Sequence, residues 1–190
     1  VAVVGALALA WIADLQTGFG PFVAVYLTSE KWTQVEIGLV LSVAGLVALV
    51  GQMPGGALVD AARSERTVAA VAVTLIATAA LTYATLPIFP AGLAAATVHA
   101  AASCVLGPAI AAISLGLVGH DTIGERFGRN ARFASLGAGL SAAVMGAVGY
   151  VFSTSAVFFV TAALLVPALL VLRHMAWQEI DSERAHGNMP

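Results

Sequence analysis

Hydrophobic runs long enough to cross a bilayer recur six times along the chain, at about 1–27, 35–59, 67–88, 91–118, 131–152 and 155–172, and nearly every charge falls between them. An α-helix rises about 1.5 Å per residue, so about 20 apolar residues cross the roughly 30 Å of hydrocarbon in a membrane. Lipid offers no partner to a backbone N–H or C=O, so runs of this length must be helical. The expectation is an all-α membrane protein of six transmembrane helices. Composition closes the alternative of a water-soluble domain: 60% of the 190 residues are hydrophobic and 9% charged. Soluble domains carry about a quarter of their residues as Asp, Glu, Lys and Arg, and too few are present here to cover a globule in water.

The breaks between runs set the path of the chain. Runs three and four are separated by Phe89-Pro90, and runs five and six by Ser153-Thr154-Ser155. Each pair is therefore expected to form an antiparallel hairpin in the membrane. Of the eight basic residues, Lys31 follows the first run, while Arg63, Arg66, Arg126, Arg129, Arg132, Arg173 and Arg184 all fall on the opposite side. Cytoplasmic loops retain Lys and Arg. This places the N-terminus, the 60–66 and 119–132 loops and the 173–190 tail inside the cell, in a multi-pass inner (plasma) membrane protein. Tyr26, Tyr83 and Tyr150 fall near the outer ends of runs one, three and five, where amphipathic rings favour the headgroup level.

Within the runs, small residues recur at helical spacing. Gly38, Ser42, Gly45, Ala48, Gln52 and Gly56 line one stripe of the second, and Ser135, Gly139, Ala142, Gly146, Gly149 and Ser153 one stripe of the fifth. Close backbone approach over such residues holds helices together in lipid, so both helices are expected to pack on protein. The sixth run, with Val157, Phe158, Phe159, Leu164, Leu165, Leu169 and Leu170, reads as lipid-exposed.

Ionisable residues inside the runs are the candidates for chemistry. Asp14 lies near the middle of the first, where a carboxylate costs about 2.5–3.5 kcal/mol to insert. Thr17, Gly18 and Pro21 follow at i+3, i+4 and i+7, and Gln16 is close by, so the acid belongs to a small, polar face suited to a cavity or another helix. In the fourth run His99, Ser103 and Gly107 make a comparable face. Asp14, Gln16, His99 and Ser103 are the candidate substrate- or proton-binding residues; the alternative for Asp14 is a structural carboxylate bonded to a neighbouring helix. Gly20-Pro21 in the first run and Gly107-Pro108 in the fourth sit at similar depths. Paired interruptions of this kind suggest a repeat of three plus three helices, with these residues as hinges lining a central site.

Other chemistries find no residues. Cys104 is the single cysteine, so neither an intrachain disulfide nor a cysteine-based metal site can form. No G-x-S-x-G, H-E-x-x-H or paired Cys/His spacing occurs. No enzyme activity, metal, cofactor or nucleic-acid partner is expected.

The segment after the second run reads Gly55-Gly56-Ala57-Leu58-Val59-Asp60-Ala61-Ala62-Arg63-Ser64-Glu65-Arg66. It resembles the loop that the major facilitator superfamily carries between its second and third helices: Gly56, Leu58, Asp60, Arg63 and Arg66 match in type, order and place. Arg63 stands where that family usually has glycine. Glu125-Arg126-Phe127-Gly128-Arg129-Asn130 resembles the family's segment before the fifth helix, so the likeness covers all six runs. The fifth-helix element of many drug antiporters is not present between Gly137 and Gly149. The resemblance implies the N-terminal six-helix half of a secondary transporter, a three-plus-three bundle moving a small solute by alternating access and coupled to protons. In the family the first and fourth helices line the cavity, the second and fifth flank it, and the third and sixth face lipid. Gly56, Asp60, Arg63 and Arg66 would then form a gating loop, with Asp60 bonded to a helix N-terminus of the other half and Arg66 holding the loop by charge pairing. The implied partners are the solute, a proton, the bilayer and a C-terminal six-helix half beyond the 173–190 linker. A self-associating six-helix channel or assembly subunit is the alternative.

Overall fold

The computed structural model of the chain describes residues 20–118 and 123–174. They form six helices: α1 (Gly20–Ser29), α2 (Gln34–Asp60), α3 (Glu65–Thr85), α4 (Phe89–Val118), α5 (Ile123–Val151) and α6 (Thr154–His174). No strand occurs among the described residues. The fold is an all-α membrane bundle. Gln34–Asp60, Glu65–Thr85, Phe89–Gly116 and Thr154–Arg173 are each long and apolar enough to cross a bilayer, and α5 carries a shorter apolar stretch, Ser135–Val151.

Local chemistry sets where the helices begin and end. α2 opens with a capping box: Thr33 accepts from the Glu36 N–H at 3.2 Å, and the Glu36 carboxylate accepts from the Thr33 N–H at 2.8 Å. Two donors that a helix start leaves unpaired are thereby satisfied. Ser64 caps α3 by accepting from the Thr67 N–H at 3.3 Å. The end of α1 is closed by Lys31, whose φ of 63° is left-handed. Lys31 N–H donates to the Thr28 carbonyl and Trp32 N–H to the Leu27 carbonyl, both at 3.1 Å, a pairing that glycine normally terminates. A side chain in this conformation costs about 1–2 kcal/mol. Lys31→Gly should therefore raise the stability of the purified full-length protein by up to about 1 kcal/mol, and Lys31→Val should lower it, as read from thermal unfolding in detergent.

α4 is the pivot of the packing, with α2 on one side and α3 on the other; α3 continues onto α6, which also meets α5 and α1. The α2–α4 contact is close because Gly51 and Gly55 face Cys104. A Cβ added at Gly55 would lie 2.6 Å from the Cys104 carbonyl oxygen. The Cys104 thiol lies 3.5 Å from the Ala48 carbonyl, within reach of a weak S–H donor.

At the end of the bundle where α1, α3 and α5 finish, aromatic rings fill the interior. Tyr26, Tyr83 and Phe158 are each no more than 2% exposed. The Phe158 ring centroid is 4.8 Å from that of Tyr26 and 5.3 Å from that of Tyr83. The Tyr26 hydroxyl donates to the Tyr83 carbonyl. Tyr26 and Tyr83 thus turn into the bundle at the end where the sequence placed them, and for Tyr26 a buried carbonyl supplies the polar partner expected of the interface. Tyr150, 93% exposed, is the tyrosine of the three that remains outside. Trp32 covers the same end, its ring 5.8 Å from Phe89 and packed over Gly92.

Two expectations change. α6 is not lipid-exposed all round: Val157, Phe158 and Leu165 are buried, whereas Phe159 and Leu170 point outward. The small-residue stripes of α2 and α5 stay largely open among the described residues. Gly38, Gly45, Gly56 and Gly139 have no atom within 4 Å of an added Cβ, while Gly146 and Gly149 meet Phe22 and Val157.

Candidate functional site

Asp14 and Gln16 lie outside the described residues. The other half of the candidate binding set is on α4. His99 is half-buried, and Ser103, one turn further on, donates its hydroxyl to the His99 carbonyl at 2.8 Å. Such back-bonding satisfies a hydroxyl hydrogen inside an apolar helix. Gly107 is exposed with no atom within 4 Å of an added Cβ, and α4 runs through Gly107-Pro108 without interruption. His99, Ser103 and Gly107 therefore share one face, with Cys104 turned instead towards α2. Gly20 is the first described residue of α1; the side chain of Pro21 lies outside what is described.

The loop between α2 and α3 is compact, and its four sequence candidates separate by environment. Asp60 is the last residue of α2 and is exposed, as is Arg63, while Gly56 is half-buried one turn earlier. Arg66 is half-buried and its guanidinium donates to the Arg173 carbonyl at 3.4 Å. That carbonyl belongs to the last turn of α6, where unpaired C=O groups and the negative end of the helix dipole favour a cation. Arg66 thus ties the start of α3 to the end of α6. Charge pairing alone, as expected from the sequence, does not describe it.

Three neighbours of these candidates escape sequence reading. Glu65 is 3% exposed although it stands in a charged loop; its position one residue after the Ser64 cap, in the first turn of α3, is the signal that could have singled it out. Pro54 interrupts the donor series of α2 next to Gly55. Gln52 directs its amide towards the Cys104 sulfur at 3.9 Å. Among the described residues no group of three or more His, Cys, Asp or Glu is placed to hold a metal.

These helices define a multi-pass membrane bundle whose described candidate residues lie mainly on one α4 face and at one loop. The sequence pattern of the Major Facilitator Superfamily matches residues 3–186. The chain belongs to that superfamily, whose members are transporters and not enzymes. It is 36% identical over 181 residues to an uncharacterized MFS-type transporter of Mycobacterium tuberculosis, found in two strains. That alignment takes in 93% of this chain and 42% of the relative, so the chain spans less than half the length of the curated relatives it matches. Among solved structures it is similar to the nucleoside transporter NupG, with a TM-score of 0.82 at 18% identity over 100% of this chain and 48% of that one. The peptide transporter POT gives a TM-score of 0.79 at 15% identity over 97% of this chain and 39% of that one. At these identities the likeness is one of fold.

Proposed function

We propose that the chain is the N-terminal half of a secondary transporter that moves a small solute by alternating access, with proton coupling through Asp14 and His99. The observation that carries this reading is the open face of α2 and α5. Gly38, Gly45, Gly56 and Gly139 present backbone with nothing against it among the described residues, and Leu46, Leu49, Met53, Leu136 and Leu140 are exposed beside them. Small residues in a membrane helix favour close helix contact, and a second six-helix half is the partner this reading supplies. The superfamily match and the 42% coverage of the mycobacterial relative support it. A solute site at the junction of two halves would lie near the bilayer midplane, with the His99 and Ser103 face on its α4 wall.

Proton coupling predicts a specific outcome. In proteoliposomes bearing the full-length transporter, Asp14→Asn should abolish uptake driven by a pH gradient while leaving exchange of solute across the membrane measurable. Uptake with unchanged pH dependence would return Asp14 to a structural role. The orientation with both termini and the α2–α3 loop cytoplasmic rests on seven of eight basic residues sharing that side.

Asp60 ends α2 exposed, with Arg63 beyond it. In this reading it accepts from the N-terminal N–H groups of a helix in the second half and closes the cytoplasmic side. Asp60→Ala should lower the transport rate at least about tenfold, the loss of a charge-assisted contact worth about 1.5–3 kcal/mol in the closed state. Membrane insertion, measured by the yield of monodisperse protein, should be unchanged. Saturable uptake with counterflow separates a carrier from a self-associated channel, which conducts without either.

A further inference from the structure

Away from the open α2–α5 face, a groove of about 330 Å³ runs between α2, α3 and α4. Its walls include Leu58 of α2, Val71 and Leu75 of α3 and Ala101 and Val105 of α4. Leu58, Val71 and Leu75 are 54%, 54% and 42% exposed, so the groove opens outward. The polar group in its wall, Thr67, spends its hydroxyl on the Ser64 hydroxyl at 3.1 Å. Water would find no useful partner in such a groove, and the helices that form it cross hydrocarbon.

The α2–α3 loop joins the Leu58 wall of the groove to its Thr67 wall. Arg63 stands exposed in that loop, at the position where the resemblance leads one to expect glycine. Arg66 is directed elsewhere, to the α6 carbonyl, and Asp60 is assigned above to the second half. A hydrocarbon slot whose α2 and α3 walls are joined by a loop bearing an exposed guanidinium matches one amphiphile in shape and charge. We infer that the groove binds an anionic phospholipid, one acyl chain lying against Val71, Leu75 and Val105 and its phosphate paired with Arg63. The site differs from the solute pathway, and its occupation does not depend on which solute is carried.

The test uses the full-length protein in phosphatidylcholine vesicles containing a phosphatidylglycerol probe with a diazirine in the acyl chain. After illumination, adducts should concentrate on the peptides containing Val71–Leu75 and Ala101–Val105. Arg63→Gln should reduce that labelling about fivefold, the weight of one basic residue at an anionic membrane surface, without changing labelling by the matching phosphatidylcholine probe. Ala101→Leu, at an exposed position that has room for the larger side chain, should reduce labelling with either probe. Millimolar inorganic phosphate should not compete. Adducts spread evenly over all lipid-facing helices, equal labelling of wild type by the two probes, or crosslinks to a second copy of the protein at this groove would each overturn the assignment. Should Arg63→Gln not fold, the wild-type map and the comparison of the two probes decide the matter.

Discussion

Gly55→Ala is expected to destabilise the protein by about 1–3 kcal/mol, although it adds a single methyl group. The new Cβ would sit 2.6 Å from the Cys104 carbonyl oxygen and 3.0 Å from its carbon. Both are backbone atoms of α4, so neither can turn aside as a side chain could. Restoring an ordinary C···O separation of about 3.3–3.6 Å requires α2 to retreat by nearly 1 Å, and contacts along the α2–α4 seam loosen with it. Two companions make the prediction specific. Gly51→Ala meets the Cys104 sulfur at 2.8 Å, a side-chain atom, so Cys104→Ala should rescue Gly51→Ala and fail to rescue Gly55→Ala. Gly56→Ala meets no atom of the described residues within 4 Å and should cost clearly less than Gly55→Ala, any loss arising at the face assigned to the second half. Thermal unfolding of the detergent-purified full-length protein measures all four. Equal losses at Gly55 and Gly56 would mean that the close seam is misplaced.

The second large effect is expected at Phe158→Ala, about 3–5 kcal/mol. The ring is fully buried between Tyr26 of α1 and Tyr83 of α3. In lipid the loss is one of packing, since an emptied site forfeits its dispersion contacts and two aromatic pairs without a compensating change in hydration. Phe159→Ala is the control. Its ring is 48% exposed, and the change should stay within about 0.5 kcal/mol. The same unfolding assay reads both, and a small effect at Phe158 would show that the aromatic cluster does not join α1 and α3 to α6.

Both pairs of neighbours show where sequence reading stops. Six long apolar runs, with charges confined to the breaks, specify a six-helix bundle, because lipid admits little else. The superfamily was legible in the 55–66 loop, where the order of small, acidic and basic residues is unusual. Which of two adjacent residues turns inward was not. Successive residues on a helix are about 100° apart, and an all-apolar helix gives no amphipathic signal to fix its rotation. Hence the stripe through Gly38, Gly45 and Gly56 was expected to pack, whereas within this chain Gly51 and Gly55 make the close contact. The tyrosines show the same limit. Their depth along the helix axis was readable, but not their direction, and Tyr26 finds at Tyr83 the hydrogen bond it was expected to find at the membrane surface. At the candidate site, His99 and Ser103 fall on one α4 face as their spacing required. The place of Glu65 after the Ser64 cap marks it as a first-turn acid without showing that it is buried, and the attachment of Arg66 to α6 is a tertiary contact that no local pattern encodes.

The outward face of α3 carries four threonines at helical spacing. Thr74, Thr78, Thr82 and Thr85 each donate to the carbonyl four residues earlier, at 2.8–2.9 Å. Every hydroxyl hydrogen on that face is thus consumed by its own helix, and none is offered to the surroundings. For a half that tilts as the proposed mechanism requires, this amounts to lubrication. Under that mechanism the face would slide past acyl chains with no hydroxyl hydrogen to offer or withdraw, so the donors on this face would add no hydrogen-bond barrier to the proposed rocking.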